Sequence, residues 1–161
     1  MLGITLICVG KLNAPYYSAG CAEYQKRIGG YAALRVIELP EEPVSEKNAS
    51  PSVIQKALEK EGREILAKVP KGSLLIPLCV EGRQRPSEGL AELLASAALA
   101  GKSHFTFVIG SSHGLSAQVK AAADEKLSLS KMTFPHQLAR LMLLEQIYRA
   151  LSINAGSRYH K

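Results

Sequence analysis

Gly110-Ser111-Ser112-His113-Gly114 has the spacing G-x-S-x-G. Read literally, it is a nucleophile elbow, in which a sharp strand-to-helix turn raises a serine hydroxyl toward a substrate carbonyl. A hydrolase of that kind needs an acid and a histidine downstream. Asp124 is the last aspartate, and His136 or His160 would serve as the base. Against this, Asp124 lies only twelve positions beyond Ser112, and 161 residues is short for an α/β-hydrolase. The same five residues also read as a glycine-rich turn that lets backbone approach a ligand closely. They are not G-x-G-x-x-G, and the chain has no Walker A run.

Two further segments carry polar chemistry. Leu127-Ser128-Leu129-Ser130-Lys131-Met132-Thr133-Phe134-Pro135-His136 runs from strand character through a polar loop to a helix start. Backbone N–H and C=O groups exposed in such a loop suit an adenine edge or a ribose. The final residues, Gly156-Ser157-Arg158-Tyr159-His160-Lys161, combine two cations, an aromatic ring and an imidazole. An aromatic can stack on a base while cations meet phosphates, although free tails are often frayed. From residue 126 onward the basic residues are Lys126, Lys131, Arg140, Arg149, Arg158 and Lys161 against the single acid Glu145, so this end carries most of the net charge of +6. Such an asymmetry suits a polyanionic partner, most simply a nucleic acid, or merely solubilises a helix.

These residues need a scaffold, and the apolar pattern describes one. Ile4–Val9, Leu34–Leu39, Ser73–Val80, His104–Ile109 and Leu127–Leu129 read as strands. Pro77 interrupts the third and predicts a bulge or an edge there. Helices are predicted over 15–28, from Pro51 after the cap Ser50 to about Val69, from the cap Ser87 to Ala100, briefly after Ser116, and from Pro135 to about Ala155. Residues 40–50 read as a surface loop. The βαβαβαβαβα order predicts one domain over 1–161, a mostly parallel sheet flanked by helices. Ligands of such sheets bind beyond the carboxyl ends of the strands, which directs attention to 78–82, 110–114 and 128–134.

In the last helix, Leu138, Leu141, Leu144, Tyr148 and Leu151 form one apolar stripe, with Met142, Leu143 and Ile147 outside it. A helix apolar over most of its circumference is buried on more than one side, as a central core helix or at a dimer interface. Cys8, Cys21 and Cys79 lack metal or disulfide spacing, and Cys8 and Cys79, in apolar strand-like runs, read as core thiols. No apolar run is long enough to span a membrane. The stretch Gly3–Val9 is short, with no basic segment before it, so no secretory signal is expected and the protein is expected to be cytoplasmic.

Taken together, these segments resemble the RlmH (YbeA-like) family of the SPOUT superfamily of methyltransferases. The resemblance rests on Phe107-Val108-Ile109-Gly110, Gly114-Leu115-Ser116, Leu127 through Gln137, Arg140 with Leu144 through Ala150, and the terminal Tyr159-His160-Lys161. Val9-Gly10-Lys11, Glu23-Tyr24, Lys26-Arg27 and Lys60-Glu61-Gly62 also fit, so it covers essentially the whole chain. It implies an α/β fold whose C-terminal part passes through a deep trefoil knot. It implies S-adenosylmethionine as methyl donor, a homodimer, and N3-methylation of a pseudouridine in helix 69 of 23S ribosomal RNA within the assembled 70S ribosome. Neither DNA nor a membrane is implied as a partner.

Carried over by position, the resemblance assigns Leu78, Gly110, Leu129, Ser130, Lys131, Met132, Thr133 and Phe134 to the cofactor, largely through backbone. N3 must shed its imide proton to attack a sulfonium methyl, and no metal is needed because the leaving group departs neutral. His160 is then the candidate base, Arg158 or Lys161 the support for the anion, and Tyr159 the orienting ring. Arg140 and Arg149 point about 180° apart on a straight helix, so both cannot line one pocket; Arg140 is the preferred active-site residue. Two positions depart from the family. Ser111 stands where a second glycine is usual, and at positive φ it would add strain of about 1 kcal/mol or more. Ser157-Arg158 replace an acid and often a proline. Alternatives are another RNA substrate such as a transfer RNA, a non-catalytic RNA-binding protein, and a serine hydrolase using Ser112.

Overall fold

The computed structural model describes residues 1–161. The elements are β1 (Leu2–Val9), α1 (Pro15–Ile28), β2 (Ala32–Leu39), α2 (Pro51–Lys68), β3 (Leu74–Gln84), α3 (Ser87–Leu99), β4 (His104–Ile109), α4 (Ala117–Ala122), β5 (Leu127–Ser128) and α5 (His136–Asn154), with a short 3₁₀ turn at Glu46–Asn48. The expected alternation is present. All five strands form one parallel sheet in the order β2-β1-β4-β3-β5.

β1 and β4 lie inside this sheet with helices on both faces, which is why both read as unbroken apolar runs. Their pleat divides the side chains. Ile4, Leu6 and Cys8 join Phe105, Phe107 and Ile109 in the larger core, packed with α1, α3 and α5. Ile7, Val9 and Val108 join Leu75 in the smaller core, closed by Ile65 of α2 and Val119 of α4. No helix is long and apolar enough to cross a membrane.

α5 packs between α1 and α3. Its core face is Leu143, Leu144, Ile147, Ala150 and Leu151, all buried. The predicted stripe is therefore displaced: Leu138, Leu141 and Tyr148 are half-buried. A helix with apolar residues almost all round gives no periodicity from which to centre its inner face. Ser50 caps α2 as expected, accepting the Val53 N–H at 3.3 Å. Ser87 does not cap α3; the N-cap is Pro86, and the Ser87 hydroxyl donates to Gln146 of α5 at 2.6 Å.

The irregularity expected at Pro77 positions the site. β3 pairs with β4 only from Leu74 to Pro77, then separates from it. Its pairing with β5 shifts register between Leu78 and Arg83. β3 continues through Gln84, past the predicted end. Gly82 permits this, because a Cβ there would stand 2.8–2.9 Å from backbone atoms of Lys126 and Leu127. Arg83 N–H donates to Lys126 C=O at 2.8 Å, and Arg85 pairs with Glu125 at 2.8 Å.

Candidate active site

A cleft of about 790 Å³ opens where β3 and β4 part. Its walls are 78–81 after Pro77, the turn 109–115 after β4, and the connection from β5 to α5, contributing Ser128–Ser130 and Met132–His136. These are the three segments expected at the carboxyl ends of the strands. Leu78, Gly110, Leu129, Ser130, Met132, Thr133 and Phe134 all line it; Lys131 is exposed and does not.

The 110–114 turn is tight. Gly114 N–H donates to Ser111 C=O at 2.9 Å, with Gly114 at φ +92°. A Cβ on Gly110 would collide with the Gly114 carbonyl oxygen. Ser111 is not strained, because no residue other than glycine has positive φ. The expected penalty for serine at this position is absent. Its hydroxyl instead donates to the buried Glu61 carboxylate of α2 at 2.9 Å.

Ser112 donates through its hydroxyl to Glu41 at 2.8 Å. Asp124 accepts from the Leu75 N–H at 2.8 Å, at the amino end of β3. Ser112 follows the carboxyl end of the parallel β4, so the two stand at opposite ends of the sheet. His160 pairs with Glu88 at 2.7 Å. Ser112 and His136 line the same cleft, but Asp124 stands at the other end of the sheet, so a serine–histidine–aspartate set does not assemble.

Serine hydroxyls also shape the second loop. Ser128 Oγ donates to Ser130 C=O at 2.9 Å, and Ser130 Oγ accepts the Met132 N–H at 3.0 Å. The cleft's charged groups are Glu81 and Lys120, paired at 2.5 Å. The Lys120 hydrogen bond, then that of its own backbone, holds the Glu81 carboxyl below the usual range. Cys79, expected in the core, is half-exposed in this wall, and burial followed by the Glu81 charge pushes its thiol up.

The tail is folded against the helices. Tyr159 OH lies 3.3 Å from Tyr24 OH and donates to Glu145 at 3.2 Å, while its ring meets Tyr148 edge-on at 4.7 Å. The Tyr24 hydrogen bond, burial and Glu145 all raise the Tyr159 phenol, which keeps it a neutral donor. Arg149 pairs with Glu145 at 2.6 Å, lies 4.8 Å from the Tyr159 ring centroid and stands 3.1 Å from His160 Nδ1. The Glu88 carboxyl is held low by its own backbone and by His160. Arg158 and Lys161 are exposed.

This cluster borders a second cavity of about 580 Å³, to which Tyr24 and Glu145 contribute. That cavity and the cleft share Ser128, Leu129 and Phe134 as a common partition. Neither the tail nor Arg140 lines the cleft. Arg140 is buried, bound to Glu38 at 2.7 Å and to Gly10 C=O at 3.1 Å, on the side of α5 away from Arg149.

The sequence assigns no role to Glu61, Glu81 or Lys120, although Lys60-Glu61-Gly62 is among the stretches that carry the resemblance. For Glu61 a signal existed: it is the one acid in the stripe Ala57, Glu61, Ile65 that α2 buries.

Known proteins resemble this chain throughout. The family model described as "Predicted SPOUT methyltransferase" matches residues 2–160. A protein of Bacillus cytotoxicus named ribosomal RNA large subunit methyltransferase H is 50% identical over 160 residues, 99% of this chain and 100% of that protein. A protein of the same name from Bacillus thuringiensis is 49% identical over the same shares. Among solved structures, a probable methylase family protein from Haemophilus influenzae is similar with a TM-score of 0.55 at 14% identity, covering 98% of this chain and 70% of that one; this is a likeness of fold.

Proposed function

The chain belongs to the SPOUT methyltransferase family, and from that premise we propose that it methylates N3 of a pseudouridine in helix 69 of 23S ribosomal RNA, using S-adenosylmethionine on the assembled 70S ribosome, as a homodimer. The observation that carries this reading is the cleft itself. Leu78, Gly110, Leu129, Ser130 and Met132–Phe134 come from three separate segments to line one cavity. Relatives named for ribosomal RNA methylation, half identical along their whole length, support the substrate.

The residues present fit the cofactor. About 790 Å³ lies within the range of roughly 300–1,000 Å³ typical of small-molecule sites. Leu78, Val80, Ile109, Leu115 and Phe134 supply apolar wall for an aromatic base. Glu81 supplies an acceptor for hydroxyl or ammonium groups. The Gly110 turn brings backbone up to the wall where no Cβ fits. When bound, S-adenosylmethionine supplies an electrophilic methyl group on a sulfonium centre.

The remaining work falls to the chain. The second cavity, sharing its partition with the cleft and bordering the tail cluster, is the entrance for the target base. His160 takes the N3 proton at Nδ1 once Arg149 releases that nitrogen, while Nε2–H stays on the Glu88 carboxylate. Tyr159 orients the base as a neutral donor, and Arg158 and Lys161 stabilise charge developing on its carbonyls. Arg140 supports the site from behind, tying the first turn of α5 to Gly10 so that His136 and Ala139 face the cleft. Lys131 is placed to meet phosphate rather than cofactor.

The half-buried Leu138, Leu141 and Met142 of α5 support a homodimer. The β5–α5 passage is where the family's deep trefoil knot would form. The same reading makes 1–161 a single, cytoplasmic methyltransferase domain.

Mass spectrometry of ribosomal RNA from cells with and without the protein tests this function. Loss of N3-methylpseudouridine from 23S RNA is the expected result. Unchanged 23S RNA with a methyl group missing from a transfer RNA would reassign the substrate. No change in any RNA would leave a non-catalytic binding protein.

A further inference from the structure

α2 meets the cofactor turn from the α2–α4 face of the sheet, and it does so with an acid. Glu61 is 4% exposed. A buried carboxylate is costly unless its oxygens find donors, and both do. One accepts the Ser111 hydroxyl at 2.9 Å, and the other accepts the Glu42 N–H at 2.8 Å.

The next residue, Gly62, has an equally specific neighbour. A Cβ there would collide with Ser116 Oγ, which accepts the Val119 N–H at 3.2 Å and caps α4. Two consecutive residues of one helix therefore fit the turn at both ends: Glu61 binds Ser111 where it begins, and Gly62 leaves room for Ser116 just beyond its end. Glu41, beside the tethered Glu42, accepts from the Ser112 hydroxyl.

We propose that Glu61 and Gly62 are positioning residues for the cofactor turn: α2 holds 110–115 in its cleft-lining shape before a ligand arrives. This deepens the proposed function and rests on the cofactor reading. A backbone already in its bound shape loses less conformational freedom on binding, so affinity is where the tether acts. The proposal also gives Ser111 a task that glycine could not perform, because glycine has no hydroxyl for Glu61.

Full-length variants titrated calorimetrically with S-adenosylhomocysteine provide the test, together with amide exchange at Gly114 in the ligand-free protein. Glu61→Leu keeps volume and removes both contacts. Glu61→Gln keeps both, because its oxygen can accept from Glu42 while its amide donates to Ser111 Oγ. Glu61→Leu and Ser111→Ala should each weaken binding about tenfold, and the pair should be less than additive. Both should speed Gly114 exchange and raise KM for S-adenosylmethionine while leaving kcat at saturation unchanged. Glu61→Gln should bind as the wild type does.

Gly62→Ala should weaken binding through the α4 cap. If Glu61→Leu does not fold, Ser111→Ala decides alone. A Ser111→Ala protein with wild-type affinity overturns the inference, as does a Glu61→Gln protein as weak as Glu61→Leu. A wild-type protein that binds no S-adenosylhomocysteine overturns the cofactor reading itself.

Discussion

Arg140 and Arg149 leave opposite sides of α5. The sequence spacing predicts this divergence, and the preference for Arg140 as an active-site residue rests on its place near the start of the helix. Its side chain is 3% exposed and holds Glu38 and Gly10. Removing one partner of a buried pair costs about 3–5 kcal/mol. Glu38 is 39% exposed, so solvent relieves part of that loss. Arg140→Met is therefore expected to lower unfolding free energy by about 2–3 kcal/mol in a urea titration. Unchanged stability would show that the pair contributes nothing to the fold. The cysteines make a second residue-scale prediction. Burial pushes the Cys8 thiol from its ordinary value near 9 up to about 12. The neutral thiol's contribution to stability is full below about pH 9 and is lost as pH climbs through about 12. In the folded protein at pH 8.5, a value chosen below both limits, iodoacetamide should modify Cys79 and spare Cys8 and Cys21. S-adenosylhomocysteine should slow the reaction at Cys79. Modification of Cys79 unaffected by that ligand would remove it from the binding cleft.

At the scale of elements, legibility followed the physics of each segment. Buried strands β1 and β4 announced themselves by apolar residues, and α2 by its serine cap and following proline. The far half of β3 did not. Glu81-Gly82-Arg83-Gln84 is polar and pairs with β5 through backbone groups, which leave no trace in side-chain type. The two cleft loops were legible because serine, glycine and a strand end coincide in each. The tail's tether was not, since its partners Tyr24 and Glu88 are remote in sequence. Gly82 yields a prediction here. Gly82→Ala places a Cβ 2.8–2.9 Å from the Lys126 and Leu127 backbone, where only movement of β5 relieves the contact. Overpacking of this kind costs about 1–3 kcal/mol. Because the 129–134 loop hangs from β5, cofactor affinity should fall more than overall stability does. Calorimetry on the folded variant checks this; wild-type affinity would show that β5 does not set the loop.

At the scale of the whole molecule, the charge asymmetry predicts how binding to ribosomal RNA should respond to salt. From position 126 to the end there are six basic residues, but two are committed within the fold: Arg140 to Glu38 and Arg149 to Glu145. Lys126, Lys131, Arg158 and Lys161 are exposed and form no ion pair. Each cation that neutralises a phosphate releases condensed counterions, and log K falls with log salt by about 0.7–0.9 per contact. Four such contacts from one chain give a slope of about −3 to −4, whereas all six would give about −4 to −5. Lys131→Ala should weaken binding and reduce the slope by nearly one. Arg140→Met should leave the slope unchanged while costing stability, because its guanidinium is held by Glu38 and the Gly10 carbonyl. Sedimentation of the protein with ribosomes across a salt series measures both. A slope that drops on losing Arg140 would place that guanidinium against RNA. A slope indifferent to Lys131 would move the docking surface away from the exposed edge of the 129–134 loop.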